Sequence, residues 1–347
     1  MTSTSERATE RTIGANRNVR NYLEKAGLPG FLVLLIALFA LMPSTGEHFR
    51  SLPNIQNVLG YQSVTGLIAL AMVIPLVAGY FDLSVAAVAG LSNVAVASLV
   101  SQHGQPVFVG IIAGILVGLL AGAINAVLVA GANLDPFIAT LGTYIFWSGA
   151  LALYTGGQTI SSNIPLDFSL WTTQRLLGIP LPFWLLLVVA VASWYFLNQV
   201  PFGRKLTAIG SNELAAQLAG IRTRRAVALT YVVAGALAGV AGALLTSTNG
   251  GGDATSAISY LFPALAAVFL GRTAIRPGHY NVWGTMFGLF LVAVAVNGFT
   301  LLGVASSVTQ MFNGAALIVS VAVATLSVKA RERKAREMQY QSLRASA

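Results

Sequence analysis

Ten stretches of this chain are apolar and almost free of charge: residues 27–43, 62–80, 84–101, 106–131, 135–154, 181–199, 226–246, 257–271, 281–302 and 307–328. A helix that crosses a bilayer needs roughly 20 such residues in a row. Only 9% of the 347 residues are charged, against about 25% in an ordinary soluble chain. So few charges cannot cover a water-facing surface. The chain therefore reads as an all-α polytopic membrane protein of about ten transmembrane helices, which excludes most soluble enzyme classes. A polar N-terminal tail (1–26), a transmembrane domain (27–328) and a basic C-terminal tail (329–347) make up its domain plan. The first stretch could be the apolar core of a signal peptide. The long preceding segment with Glu6, Glu10 and Glu24 argues against that.

The net charge of +9 is accounted for by topology. With ten spans and both termini inside, eighteen of the twenty Lys and Arg fall on the cytoplasmic side. They lie in the N-terminal tail, at Arg204, Lys205, Arg222, Arg224 and Arg225, at Arg272 and Arg276, and in the C-terminal tail. Only Arg50 and Arg175 lie outside. This is the positive-inside bias of membrane proteins, and it removes the need for a nucleic-acid partner.

Several chemistries have no residues to carry them. Cysteine is absent and the three histidines, His48, His103 and His279, are scattered, so neither a disulfide framework nor a metal cluster is expected. No cofactor is implied. There is no GxxxxGK[ST] phosphate loop, no G-x-S-x-G elbow and no HExxH motif. Of eleven acids, only Asp82 and Asp135 lie near membrane depth, both at helix starts where capping and the backbone dipole favour them. No midplane proton relay is evident.

Glycine spacing describes the packing. Gly110, Gly114, Gly118 and Gly122 leave one face of the fourth span as bare backbone, and Gly235 with Gly239 and Gly284 with Gly288 repeat the device. The seventh span, rich in small residues from Ala234 to Leu245, is expected inside the bundle. Segments 71–90 and 265–284 look weakly alike, as related halves of a transporter would.

The loop at about 200–225 is the informative one. Asn212 or Ser211 is placed to cap a short helix, Glu213 to sit in its first turn and Gly220 to end it. Leu214, Leu218 and Ile221 share one apolar face. Such a helix either lies on the lipid interface or docks a cytoplasmic subunit.

Asn212-Glu213-Leu214-Ala215-Ala216-Gln217-Leu218-Ala219-Gly220-Ile221 resembles the coupling segment of ABC importer permeases of the ribose/xylose (monosaccharide) type. Further matches follow in the family's order: Gly79-Tyr80-Phe81-Asp82-Leu83-Ser84-Val85, Pro136-Phe137-Ile138-Ala139-Thr140-Leu141-Gly142-Thr143, Thr155-Gly156-Gly157-Gln158, Pro201-Phe202-Gly203-Arg204, and Asn297-Gly298 before Leu301-Leu302-Gly303-Val304. Together they cover about residues 55–325. The chain departs from the pattern after the eighth span. Where the family has Leu-Gly-Gly-Thr-Ser-x-x-Gly-Gly, it reads Leu270-Gly271-Arg272-Thr273-Ala274-Ile275-Arg276-Pro277-Gly278. Ala219 also stands where Ser is usual.

The resemblance implies a permease homodimer in the bacterial inner membrane, a separate cytoplasmic ATPase and an extracytoplasmic sugar-binding protein. The chain itself would be no enzyme. Asn212, Glu213, Leu214, Ala215, Ala216, Leu218, Gly220 and Arg222 would meet the ATPase. For a neutral, hydroxyl-rich cargo the candidate pathway residues at membrane depth are Asn93, Asn125, Thr140, Thr143, Tyr144, Asn297 and Asn313, although each could equally bond a neighbouring helix. A branched-chain amino-acid permease, an ATP-independent facilitator or channel, and a membrane scaffold are the alternatives.

Overall fold

A computed structural model describes residues 27–322 and 326. The tails at 1–26 and 329–347, with their basic residues, lie outside the described residues, as does the end of the tenth stretch. Within the described residues the regular structure is helical apart from a two-strand hairpin, Arg175–Leu176 (β1) with Ile179–Pro180 (β2), and an isolated antiparallel bridge between Ile160 and Gly252. Leu177 and Gly178 turn that hairpin at φ 56° and 78°, the left-handed pair that a two-residue turn requires.

The helices are α1 (Gly27–Leu41), α2 (Gly46–Phe49), α3 (Leu52–Val77), α4 (Val85–Ser101), α5 (Val107–Ala126), α6 (Pro136–Thr155), α7 (Leu166–Leu170), α8 (Leu181–Asn198), α9 (Pro201–Ser211), α10 (Glu213–Leu218), α11 (Thr223–Asn249), α12 (Leu261–Gly271), α13 (Val282–Leu301) and α14 (Ser306–Ala322). Every one of the ten apolar stretches contains a helix. Six are long and apolar enough to cross a membrane: α3, α5 with its π-turn extension to Gly131, α6, α8, α11 and α13. α1, α4, α14 and α12 with its leading 3₁₀ turn are shorter apolar helices.

One boundary differs from hydropathy. α3 starts at Leu52, not near 62, because Ser51 caps it, accepting from the Asn54 amide, and Pro53 stands in its first turn. Helical start signals there outweigh the polar side chains Asn54, Gln56, Asn57 and Gln62.

α11 is the axis of the bundle and packs against α5, α4 and α3. The glycine stripe of α5 is divided between two neighbours. Gly110 and Gly114 lie against Val96 and Ser92 of α4, while Gly118 and Gly122 meet α11. A Cβ at Gly118 would run into the carbonyl oxygen of Gly235, and one at Gly235 into that of Gly118. The two backbones touch directly, which no other residue permits. α12 and α13 approach through Gly271, Gly284 and Gly288 in the same way. The second half of α3, Ser63 to Leu76, is buried on every side.

Candidate functional site

The segment after α8 builds an elbow of two helices. Pro201 opens α9, with Val200 extended before it. Leu206 and Ile209 bury its inner face, and its end lies against the end of α3, where a Cβ at Gly210 would meet the Val77 carbonyl oxygen. Asn212 then swings into extended backbone, and its side-chain oxygen accepts from the Ala215 amide at 3.0 Å, capping α10. Gly220, at φ 82°, ends the turn, where a side chain would be strained.

α10 is anchored on one side and open on the other. Tyr80 Oη donates to Glu213 Oε2 at 2.9 Å. Gln217 Nε2 donates to Thr223 Oγ1 at 3.2 Å. Ala216 is buried, whereas Leu214 is 67% and Leu218 83% exposed. The remaining side chains of the segment, on Asn212, Ala215 and Arg222, are exposed, as is Gly220. Burial, the hydrogen bond to Glu213 and that carboxylate's charge push the Tyr80 hydroxyl up to about 12. The phenol therefore stays a donor across the physiological range. Tyr80, Glu213, Gln217, Ile221 and Arg222 share a cavity of about 470 Å³ with Arg224 and Arg225. Ile221 turns toward that cavity and is half-buried, so the exposed apolar face is Leu214 and Leu218 alone. Tyr80 could not be singled out from the sequence, because its partner lies 133 residues away.

The candidate pathway residues fall into separate groups. Asn125, Thr140 and Thr143 come together around the 79–84 turn. Asn125 Nδ2 donates to Ser84 Oγ at 2.7 Å, Ser84 Oγ donates to Asp82 Oδ1 at 2.6 Å, and Thr143 Oγ1 donates to Asn125 Oδ1 at 2.8 Å. Thr140 Oγ1 accepts from the Leu83 amide at 3.1 Å. Asn93 lies at the middle of α4. Its amide donates to Thr246 Oγ1 and the Gly251 carbonyl, and its oxygen accepts from the Asp253 amide at 3.0 Å. Asn297 pairs with Asn54 by two reciprocal amide bonds of 2.9 and 3.1 Å. The Asn54–Asn297 pair borders a largely apolar cavity of about 690 Å³ between α1, α3, α8 and α13. Tyr144 and Asn313 are half-buried and stand apart. The Tyr144 hydroxyl makes no hydrogen bond among the described residues, and Asn313 Oδ1 is buried without a partner. Both membrane-depth acids have structural partners: Asp135 caps α6 through the Ile138 amide and Asp82 takes two bonds from Ser84. Asp82 is the one charged side chain buried among the described residues.

Helices that satisfy their polar groups against each other, and a capped helix held out at one face, define a multi-pass α-helical membrane protein. The particular kind follows from its relatives. Residues 54–321 match the family described as branched-chain amino acid transport system / permease component, and the chain belongs to that permease family. It is 36% identical over 293 residues to the ribose import permease protein of Bacillus subtilis (strain 168), covering 84% of this chain and 89% of that one. The ribose import permease protein of Haemophilus influenzae is 35% identical, with 84% and 90% covered. The D-allose transport system permease protein of Escherichia coli (strain K12) is 28% identical, with 90% and 95% covered. No solved structure matches at a significant level.

Proposed function

We propose that this chain is the transmembrane subunit of an ATP-binding-cassette importer for a monosaccharide or a related small polar solute. It acts in the bacterial inner membrane with an ATPase on a separate cytoplasmic chain, an extracytoplasmic sugar-binding protein and a second copy of itself. Ten spans with both termini inside, a permease domain over 27–328 and cytoplasmic tails at 1–26 and 329–347 belong to the same reading.

The exposed α10 carries it. Leu214 and Leu218 offer an apolar knob on a helix whose other side is tied to the bundle through Glu213 and Gln217. A partner that buries this knob and pushes on it moves the 79–84 turn through Tyr80. Asn212, Ala215, Gly220 and Arg222 complete the docking edge, and buried Ala216 seats the helix. The pathway candidates divide by what they bond. Asn93, Asn125, Thr140, Thr143 and Asn297 hold helices together, and Tyr144 and Asn313 keep polar atoms available to a hydroxylated cargo.

The sugar reading is favoured over an amino-acid cargo, although the family description names branched-chain amino acids. A zwitterion calls for paired charges, and among the described residues the bundle interior holds one charged side chain, Asp82. Ribose and allose permeases among the relatives point the same way.

The test is ATPase activity of the purified complex in lipid, with the neighbouring ATPase subunit and binding protein. Leu218→Asp and Glu213→Ala are expected to weaken ATPase docking or coupling on the order of tenfold, the size of an interface hot spot. Failure of any ATPase to co-purify, with variants that transport like the wild type, would make the chain a facilitator.

A further inference from the structure

A second polar cavity, of about 870 Å³, lies beside the end of α3, between the 272–281 turn and the elbow residues Thr207, Gly210 and Ser211. Its size is within the roughly 300–1,000 Å³ of small-ligand sites. Its two walls differ in chemistry. The apolar side has half-buried Val77 and Phe81 and exposed Val321 over the core residues Leu76, Leu197 and Phe269. Arg272, Arg276 and His279 form the other, and no Asp or Glu lines it among the described residues.

The cationic wall is built, not draped. The Arg272 guanidinium lies 4.9 Å from the centre of the Tyr280 ring, and its Nε donates to the Gly278 carbonyl at 3.0 Å. Arg276 Nη1 donates to Asn198 Oδ1 at 2.8 Å. Asn281 Nδ2 reaches the Ala274 and His279 carbonyls at 3.2 and 3.1 Å and holds the turn closed. Neither arginine has a carboxylate partner among the described residues. Both therefore retain donors for an anion, and Arg272 stands where the family pattern carries glycine.

We propose that this cavity binds the phosphate of an anionic phospholipid headgroup, with the acyl chains along its apolar wall. A basic pocket between helices at the cytoplasmic membrane edge is suited to that chemistry. A freely diffusing phosphate would meet the same arginines but leave the apolar wall without a role. The assignment rests on the inside orientation of the 272–280 turn and not on any sugar or ATPase. It can therefore fail while the transport reading stands.

The experiment is native mass spectrometry of the delipidated full-length chain in detergent. It is titrated with phosphatidylglycerol or phosphatidylcholine of identical acyl chains, and separately with inorganic phosphate. The expected result is preferential retention of phosphatidylglycerol, reduced roughly fivefold by the loss of each arginine in Arg272→Gln and Arg276→Gln. Arg224→Gln, away from the cavity, leaves the preference intact. Arg276→Gln alone carries the test if Arg272→Gln does not fold, since the Arg276 side chain is exposed and among the described residues bonds Asn198 alone. Equal binding of the two lipids, equal loss in Arg224→Gln, or phosphate binding without lipid preference would each overturn the proposal.

Discussion

Asn125 shows what single residues do in this bundle. It is fully buried, donates to Ser84 and accepts from Thr143, so it joins α5, α6 and the 79–84 turn. Asn125→Ala removes both bonds that join the three elements, leaving Ser84 with Asp82 and Thr143 with the Thr140 carbonyl, and is expected to destabilise the chain by about 1–3 kcal/mol, read as a lower melting temperature in detergent. Asp253 gives a pH-dependent counterpart in a loop. Burial works to raise its pKa, but hydrogen bonds from Ser256 and Thr255 outweigh it and hold the carboxyl low. A lowered folded-state value contributes stability above the ordinary carboxylate pKa of about 3.9, and the contribution fades as pH falls through the folded value. Thermal melts should thus separate wild type from Asp253→Asn at neutral pH and draw together as pH falls below the ordinary carboxylate range. Some of these residues were legible. The Asn212 cap and the Gly220 stop follow from residue type and position. The Tyr80–Glu213 bond was not, because side-chain pairing across the fold leaves no local pattern.

At the scale of elements, glycine spacing was the most faithful signal. The stripe on α5 and the pair on α11 meet as bare backbone. Gly118→Ala or Gly235→Ala must push the two helices apart, and each is expected to cost about 1–3 kcal/mol as overpacking does, measured as lost thermal stability. The small-residue run of α11 also marked its central place correctly. Two elements were hidden. α9 reads as loop by hydropathy, since Arg204, Lys205, Thr207 and Ser211 dilute it. Its signals are Pro201 at the start and Leu206 and Ile209 at helical spacing. The first turns of α3 were hidden by their polar side chains, which a span search discounts.

The whole molecule was legible as a class and less so as a count. Apolar stretches predicted ten helices, and ten helices occupy them. Length separates the six that can cross alone from α1, α4, α12 and α14, which are short for a bilayer. Neighbouring helices shelter most of α4 and α12, so hydropathy and span length part company there. Because the chain has no cysteine, its topology can be read one introduced thiol at a time. Ser211→Cys, on the α9–α10 elbow, should resist a membrane-impermeant maleimide in intact cells and react after permeabilisation. Gln102→Cys, beyond α4, should react in both. Labelling of Cys at 211 from outside would invert the proposed orientation.

The contact between α5 and α11 has a mechanical meaning. Side chains between two helices act as a compliant layer that absorbs displacement by changing rotamer. Here carbonyl oxygens abut glycine backbone, and no such cushion exists. α10 leads into α11 through a short link from Ala219 to Arg222. A displacement entering at α10 therefore travels as the motion of a stiff rod, with α5 carried along, and little of it is dissipated before it reaches the opposite face.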